Sequence, residues 1–380
     1  MEFYRPSVGG AQEVVKQISE ELVRRGHEVT VATSNLPTRA SGNVAGVRIE
    51  GFSISGNATS GFAGETARYT QFLIDGNFDV MMNYAAQQWA TDLAFSVLDK
   101  VPYPKVLAPC GFSALHDRSY ADYFRAMPDV LRRYDRLVFH SNDYRDAAFA
   151  RRHGVTNSVT IPNGASATEF DQPRSEFRRR HGIPADRPML LTVGSHTGAK
   201  GHDAAIAAFR EAKIGPATLV VIGDERENAG CFRKCSRASR HASLFSLGRK
   251  RVVLLAPPRA ETVAAFQAAD LFLFPSNLEC SPIVLFEAAA SRTPFVASSA
   301  GNASEIARWT GAGLVVPTSR KNDGTVAVAV PAMARAIERL IHDSVERRRL
   351  ADAGYAAWKR SFTWEAIATQ YERVYEAACA

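Results

Sequence analysis

The sequence predicts an α/β fold made of two doubly wound domains, and three observations lead to this prediction. Short apolar runs rich in β-branched residues alternate with amphipathic helices, which is typical of a parallel sheet covered on both faces. The alternation is interrupted once, at Pro162-Asn163-Gly164, and then resumes. The chain of 380 residues also has the length of about two ordinary domains.

The individual elements follow from the hydrophobic pattern. A helix is predicted over 10–25, because Val14, Ile18 and Leu22 share one face and Gly26 ends it. A second helix is predicted over 202–212. Strands are predicted at 29–33, 79–83, 105–108, 137–141, 189–193, 218–222, 252–255, 271–274, 295–298 and 313–316. Only residues 1–4 precede the first loop, so we expect the first strand of the fold to be short or truncated.

The net charge of +7 is concentrated in one part of the chain. Residues 1–165 hold 17 basic and 17 acidic side chains, whereas 226–250 alone hold seven basic residues against Glu227. We interpret 226–250 as an insertion before the strand at 252–255, either a solvated surface loop or a contact with anionic lipid or an acceptor diphosphate. Nucleic acid is disfavoured as a partner, because no aromatic platform accompanies the charge.

The number and spacing of the cysteines and the hydropathy of the chain indicate the cellular compartment of the protein. The five cysteines are odd in number and scattered, which does not fit a secreted disulfide framework. Cys231 and Cys235 are four residues apart, but no second pair of cysteines or histidines completes a zinc site, so we expect thiols and no metal. No run of 18 apolar residues and no apolar signal core is present. We therefore predict a cytoplasmic protein that is either free or peripheral on the inner face of the membrane.

Two glycine loops precede predicted helices and suit an anionic ligand. Gly9 and Gly10 begin the first helix, where free amides and the helix dipole favour an anion; the alternative is a plain tight turn. Gly194, Ser195 and Lys200 lie between the strand at 189–193 and the next helix. They make a seat for a diphosphate, although the spacing is not that of a P-loop, and a solvated lysine is the alternative.

Two further loops carry titratable side chains. Glu279 follows the strand at 271–274, and Glu287 falls in the second turn of a helix that begins near Pro282. A carboxylate among apolar neighbours needs hydrogen-bonding partners such as sugar or ribose hydroxyls, unless it is part of a solvated helix start. After the strand at 105–108, His116 is placed to contact a substrate hydroxyl, or it is structural.

Taken in order along the chain, these motifs resemble glycosyltransferase family 4, the retaining nucleotide-sugar-dependent enzymes with the GT-B fold. The matching segments include the glycine loop, Ile161-Pro162-Asn163-Gly164, Lys200-Gly201, the two glutamates eight residues apart and the closing Phe362-Thr363-Trp364-Glu365. The resemblance implies two Rossmann-like domains facing across a cleft. It implies an acceptor-side domain of 1–165 joined by the helix at 362–380, and a nucleotide-sugar-binding domain of 166–361.

The resemblance also implies roles for individual residues. Lys200 would neutralise the donor diphosphate and Glu287 would bind the ribose. Glu279 would hold the transferred sugar, together with the backbone amides around Ser281 and Ile283. The family needs no enzymic nucleophile and usually no metal, and we expect no cofactor beyond a UDP- or GDP-sugar.

The chain departs from the family pattern at three positions. Ser195 stands where many members have arginine, Cys110-Gly111 where many have His-Gly, and Pro282 where glycine is common. The pocket histidine of the family is therefore either displaced to His116 or absent.

The resemblance implies a retaining hexosyltransferase that moves a sugar to a glycan or lipid-linked acceptor in bacterial surface polysaccharide synthesis. The alternatives are a nucleotide-sugar epimerase on the same fold and a non-catalytic glycosyltransferase-like subunit.

Overall fold

The fold is described from a computed structural model over residues 1–39, 42–172, 176–224, 229–246 and 248–380, without the side chains of Ser243 and Phe245. Its contacts divide the chain into two compact units. Unit 1 is Met1–Asn163 with Trp364–Ala380, and unit 2 is Gly164–Thr363. Over the described ranges, no helix combines the length and the apolar character that crossing a membrane requires.

The strands and helices alternate through most of both units. The strands are β1 Thr30–Ser34, β2 Asn43–Val44, β3 Val47–Phe52, β4 Ile54–Asn57, β5 Gly61–Gly64, β6 Met81–Tyr84, β7 Lys105–Ala108, β8 Arg136–Phe139, β9 Ser158–Thr160, β10 Met189–Val193, β11 Ala217–Ile222, β12 Lys250–Leu255, β13 Leu271–Phe274, β14 Phe295–Ala297, β15 Gly313–Val315, β16 Thr318–Arg320 and β17 Val326–Val328. The helices are α1 Gly10–Arg24, α2 Thr66–Asp75, α3 Trp89–Asp92, α4 Ala121–Arg132, α5 Arg145–Arg152, α6 Ala167–Phe170, α7 Phe177–Arg180, α8 His202–Glu211, α9 Ala229–Phe245, α10 Arg259–Ala268, α11 Ile283–Ala290, α12 Ala303–Thr310, α13 Val330–His342, α14 Ser344–Ser361 and α15 Trp364–Cys379.

Unit 1 is built on parallel strands. β6, β7, β8 and β9 form a four-stranded parallel sheet, and β1 pairs in parallel with β3. Residues 1–4 run beside β1, where the amide of Ser34 donates to Glu2 O at 2.8 Å and the amino group of Met1 donates to Ala32 O at 3.0 Å. These few bonds hold the segment in place without making it a strand of the sheet.

The closing helix α15 belongs to unit 1 and packs on α1. Glu372 of α15 accepts a hydrogen bond from Arg25 at 2.9 Å, and the Nε2 atom of His27 lies 2.7 Å from its other oxygen. Residues of α15 such as Ile367 and Tyr371 are fully buried. The last helix of the chain therefore completes the first unit.

Unit 2 contains a six-stranded sheet in the order β12-β11-β10-β13-β14-β15, with every pairing parallel. Numbered from β10, this is the order 3-2-1-4-5-6 of a doubly wound sheet, in which successive strands first run one way and then the other. The reversal falls between β10 and β13. In such sheets ligands bind outside the carboxyl ends of the strands at this point.

The segment 226–250, which we expected to be an inserted loop, is for the most part a helix. Its described part forms α9, a turn at 246, 248 and 249, and the first residue of β12, while 226–228 and 247 lie outside the described residues. The loop prediction was wrong because β11 and β12 are parallel neighbours, and a parallel pair requires a crossover, which is usually helical. The buried residues Cys235 and Ala242 give α9 an inner face of small side chains.

Candidate active site

Two predicted residues meet at the strand reversal of unit 2. Lys200 lies in the loop after β10 and Glu279 in the loop after β13, and the Nζ atom of Lys200 is 2.6 Å from Oε1 of Glu279. Their side chains are 30% and 13% exposed, so the pair is partly shielded yet reachable from solvent. The amide of Asn277 donates to Ala199 O at 2.7 Å and joins the two loops directly.

Close backbone packing explains the glycines around Lys200. A Cβ atom on Gly194 would lie 2.9 Å from Cγ of Lys200, so the lysine stem covers this residue. Gly201 has a φ of +66° and its Cβ atom would lie 2.2 Å from Pro275 O, which only glycine permits. The amide of Gly194 donates to Ile222 O at 2.9 Å, and Ser195 follows as a half-buried residue.

The helix that follows this loop begins with a buried histidine. His202 is the first residue of α8, is 2% exposed, and has its Nε2 atom 2.7 Å from Gly194 O. Burial lowers the pKa of His202 to about 4, against a smaller raising effect of this hydrogen bond. The imidazole is therefore neutral at pH 7, and Lys200 supplies the positive charge of the loop.

Glu287 lies inside α11, with 3% of its surface exposed. Its Oε1 atom is 2.6 Å from Nη2 of Arg259, and the same guanidinium is 2.6 Å from Oε2 of Glu169. Burial lowers the pKa of Arg259, but the two carboxylates outweigh it and hold that pKa above its ordinary value. Sequence reasoning missed Arg259, which lies 28 residues before Glu287 with no motif to mark it.

The helix carrying Glu287 begins where the sequence predicted. Pro282 is the N-cap residue and Ile283 the first residue of α11. Ser281 precedes them and is 9% exposed. The first amides of α11 therefore lie just after Glu279 in the chain, and unpaired amides at a helix start favour electronegative groups.

In unit 1 the two predicted glycines lie at the start of a helix. Gly9 is the N-cap residue of α1, and its carbonyl accepts from the amide of Glu13 at 2.9 Å. Gly10 is the first residue of the helix and is exposed, and no atom of the described residues outside its own stretch of helix lies within 4 Å of the position that a Cβ atom would take. An anion can approach the backbone at this point.

The end of β7 carries both candidates for the missing family histidine. His116 is exposed in the turn after β7, whereas Cys110 lies at the strand end with its Sγ atom 3.7 Å from Nε2 of His140. The hydroxyl of Tyr84 is 3.1 Å from the same nitrogen, and Nδ1 of His140 is 2.9 Å from Ile161 O. Sequence reasoning missed His140, whose signal was a polar residue inside the predicted strand 137–141.

Burial controls the protonation of this group. It lowers the pKa of His140 and raises that of Cys110 to about 12, so both are neutral at pH 7. The carboxyl of Asp146 accepts from the amide of Gly111 at 2.7 Å, and burial raises its pKa to about 6 despite this bond. The ends of β6, β7 and β8 therefore hold a largely buried polar group, and His116 is exposed in the turn that follows β7.

The family models match both units. Residues 173–357 match the model described as glycosyl transferases group 1, and residues 8–169 match the model described as glycosyltransferase family 4. The chain belongs to glycosyltransferase family 4. The predicted family and its GT-B fold, with two Rossmann-like units, are confirmed.

A curated relative of this family 4 chain is the D-inositol 3-phosphate glycosyltransferase of Corynebacterium aurimucosum. It is 31% identical over 228 residues, which is 58% of the chain. The match spans 51% of that relative, or about half of its length.

Two solved structures show the same fold at lower identity. Sucrose-phosphate synthase from Thermosynechococcus elongatus aligns with a TM-score of 0.78 at 21% identity, covering 99% of the chain and 94% of its own length. HepE of Anabaena, in complex with UDP-glucose, aligns with a TM-score of 0.75 at 17% identity, covering 98% and 97%.

Proposed function

We propose that this glycosyltransferase is a retaining hexosyltransferase that uses a nucleotide diphosphate sugar. Its acceptor is a glycan or a lipid-linked glycan of bacterial surface polysaccharide synthesis. The observation that carries the proposal is the Lys200–Glu279 pair at the strand reversal of unit 2, with Glu287 on the helix that follows. The binding of UDP-glucose by HepE, which shares the fold, supports a nucleotide-sugar donor.

Lys200 is the group that receives the diphosphate. Its ammonium has three N–H donors, so it can keep Glu279 and contact a phosphate oxygen at the same time. When the bond to the sugar breaks, negative charge grows on the leaving diphosphate, and a positioned cation stabilises that charge. The amide of Ser195 lies in the same loop and is the further donor that we assign to the diphosphate, while Gly194, whose amide donates to Ile222 O, lets the backbone pack closely against Lys200.

The two glutamates bind hydroxyl groups in this proposal. Glu279 accepts from hydroxyls of the transferred sugar, and its contact with Lys200 joins the sugar site to the diphosphate site. Glu287 accepts from the ribose, and Arg259 compensates its charge in the absence of a ligand. Because both ends of the donor are held, the position of its reacting carbon is fixed. Such positioning of the reacting atoms accounts for a large part of the rate gain in many enzymes.

In unit 1 we assign Gly9 and Gly10 to the anionic donor or acceptor, through the exposed backbone of Gly10 and the half-buried Gly9 beside it. His116 is retained as the catalytic candidate of this unit, since it is exposed. The contact between Cys110 and the buried His140 then has a structural role at the end of β7. Substitution of His116 and His140 by glutamine separates the two roles, because only the exposed histidine should lower turnover without lowering stability.

We also propose that α9 contacts an anionic membrane. The exposed residues Arg233, Lys234, Arg237 and Arg240 lie outside, while Cys235 and Ala242 lie inside. Each basic side chain near an anionic surface contributes about 1 kcal/mol. Such a contact would bring the enzyme to a lipid-linked acceptor.

Turnover with defined donors tests the reaction. UDP- and GDP-hexoses are incubated with glycan and lipid-linked acceptors, and released nucleoside diphosphate and new glycoside are measured. NMR of the product should show the anomeric configuration of the donor. Glu287→Gln should abolish most transfer, while the exposed control Glu211→Gln should not. An inverted product would refute the retaining mechanism, and full activity of Glu287→Gln would refute the site.

A further inference from the structure

Three metal-ligating side chains meet beside the loop after β10. His196 is the third residue after this strand, and Cys231 and Cys235 lie one turn apart on α9. Their ligand atoms all lie within 4.8 Å of one another. Cys235 and His196 are 1% exposed and Cys231 is half-buried, so the group is shielded from bulk water.

The spacing of these atoms fits a tetrahedral zinc ion. With Zn–S of about 2.3 Å and Zn–N of about 2.05 Å, a tetrahedral angle puts sulfur and nitrogen about 3.6 Å apart and two sulfurs about 3.8 Å apart. The Sγ atom of Cys231 lies 3.7 Å from Nδ1 of His196. The three groups can therefore close on one ion with small side-chain movements.

We propose that His196, Cys231 and Cys235 form a zinc site that joins the loop after β10 to α9. Thiolate and imidazole ligands together select zinc among the common divalent ions of cells. Binding replaces the protons of the two thiols, which pass to solvent, so one zinc ion and two thiols give a bis-thiolate complex and two protons. The imidazole binds in its neutral form, and water fills the fourth position.

A neighbouring side chain supports a polar occupant at this place. The ring of His202 packs on His196 with 4.8 Å between centroids. The Nε2 atom of His202 is hydrogen-bonded to Gly194 O. Its Nδ1 atom is buried and, among the described residues, has no hydrogen-bond partner. A buried polar atom without a partner is costly, and this nitrogen, which can accept a hydrogen bond, lies next to the cluster. Water bound to the zinc ion is suited to donate this bond.

The orientation of His196 is also fixed in advance. The ring of Phe232 packs edge-on against it, with 5.3 Å between centroids. A ligand whose side chain is already held loses little freedom on binding the ion. From the sequence we expected thiols without a metal here, because the third ligand, His196, lies 35 residues before Cys231. Only the packing of α9 beside α8 brings them together.

Zinc binding by the purified full chain tests the proposal. The metal-free protein in a non-thiol reductant is titrated with Zn²⁺ against a chromophoric chelator, and metal content is measured by mass spectrometry. We expect one ion per chain, a higher melting temperature with Zn²⁺, and the visible spectrum of tetrahedral thiolate coordination when Co²⁺ replaces it. Failure of the wild-type protein to bind one equivalent would overturn the proposal, without bearing on the glycosyltransferase reaction.

Substitutions then locate the ion. Cys231→Ser and His196→Gln should each weaken Zn²⁺ binding by about 100-fold or more, while the exposed thiol control Cys379→Ser should bind as the wild type does. Circular dichroism verifies that each variant is folded. Unchanged binding in both ligand variants would contradict the assignment. A further result would also contradict the zinc site. If the protein loses two thiols to oxidation when no reductant is present, and the reduced protein takes up no zinc, then Cys231 and Cys235 form a disulfide instead.

Discussion

Lys200 and Glu279 form an ion pair with a separation of 2.6 Å, although 79 residues separate them in the chain. They come together because β10 and β13 are neighbours in the sheet and the chain reverses its winding direction between them. The pair therefore marks the position where a doubly wound sheet binds its ligand.

Glu279→Gln should strengthen binding of free UDP while lowering transfer of the sugar. The carboxylate repels the diphosphate that is held by the same lysine, and removing one nearby charge at a partly exposed site is worth about 0.5–1 kcal/mol, or roughly two- to fivefold in affinity. Isothermal titration with UDP measures this effect, and Glu211→Gln is the exposed control. Weaker UDP binding by Glu279→Gln would show that the carboxylate does not oppose the diphosphate.

Arg259→Met should destabilise the fold by about 1–3 kcal/mol, because it removes the guanidinium that pairs with the buried carboxylate of Glu287. The double variant Arg259→Met, Glu287→Gln should recover part of this loss, since the buried negative charge is gone. Urea denaturation measures both effects. Arg125→Met is the matched control, because its partner Asp122 is 88% exposed and the loss should stay below about 1 kcal/mol.

Asp146→Asn should become more stable relative to the wild type as pH rises from 4 to 6. Burial raises the pKa of Asp146 in the fold to about 6, above the unfolded value of about 3.9. Between these values the folded state binds more protons than the unfolded state, so rising pH costs the wild type stability that asparagine does not lose.

Urea denaturation at several pH values measures this difference. The contribution of His140 runs in the opposite sense, because burial lowers its pKa, but it is common to both proteins and cancels in the comparison. A constant difference across the window would contradict the account of Asp146.

Replacing the outer face of α9 should weaken binding to anionic vesicles. The variant carries Ser at Arg233, Lys234, Arg237 and Arg240, which are exposed. At about 1 kcal/mol each, their loss should reduce partitioning by about 100-fold or more at low salt. Flotation with phosphatidylserine vesicles measures it.

A charge-matched control separates the effect of the exposed face of α9 from the effect of the protein's net charge. It carries Ser at four exposed cations elsewhere, namely Arg48, Arg152, Arg320 and Lys321. Equal binding by the two variants would reject a specific role for α9.

The parts of the fold and of the candidate site that can be predicted from the sequence are those set by residues close together in the chain. The strands β7, β10 and β13 follow directly from apolar runs, and the ends of β10 and β13 give Lys200 and Glu279 as candidates. Glu287 could also be predicted as a candidate, because Pro282 indicates where its helix begins.

The features that the sequence did not predict depend on distant parts of the chain. Arg259 reaches Glu287, and His196 reaches Cys231, only through the packing of helices on the sheet. The segment of α9 was interpreted as a loop because its many basic residues are more conspicuous than the helical spacing of its small residues. Cys231, Cys235, Ala238 and Ala242 recur at intervals of four, three and four residues, which is the spacing of one helix face.

Donor binding by unit 2 is the central claim, and thermal denaturation with a panel of UDP- and GDP-sugars tests it most directly. Ligand that binds the folded state raises the melting temperature. We predict that at least one sugar nucleotide stabilises the wild type and the exposed-lysine control Lys321→Ala, and that Lys200→Ala loses most of this shift. An equal shift in Lys200→Ala, or none in the wild type with any donor, would contradict it.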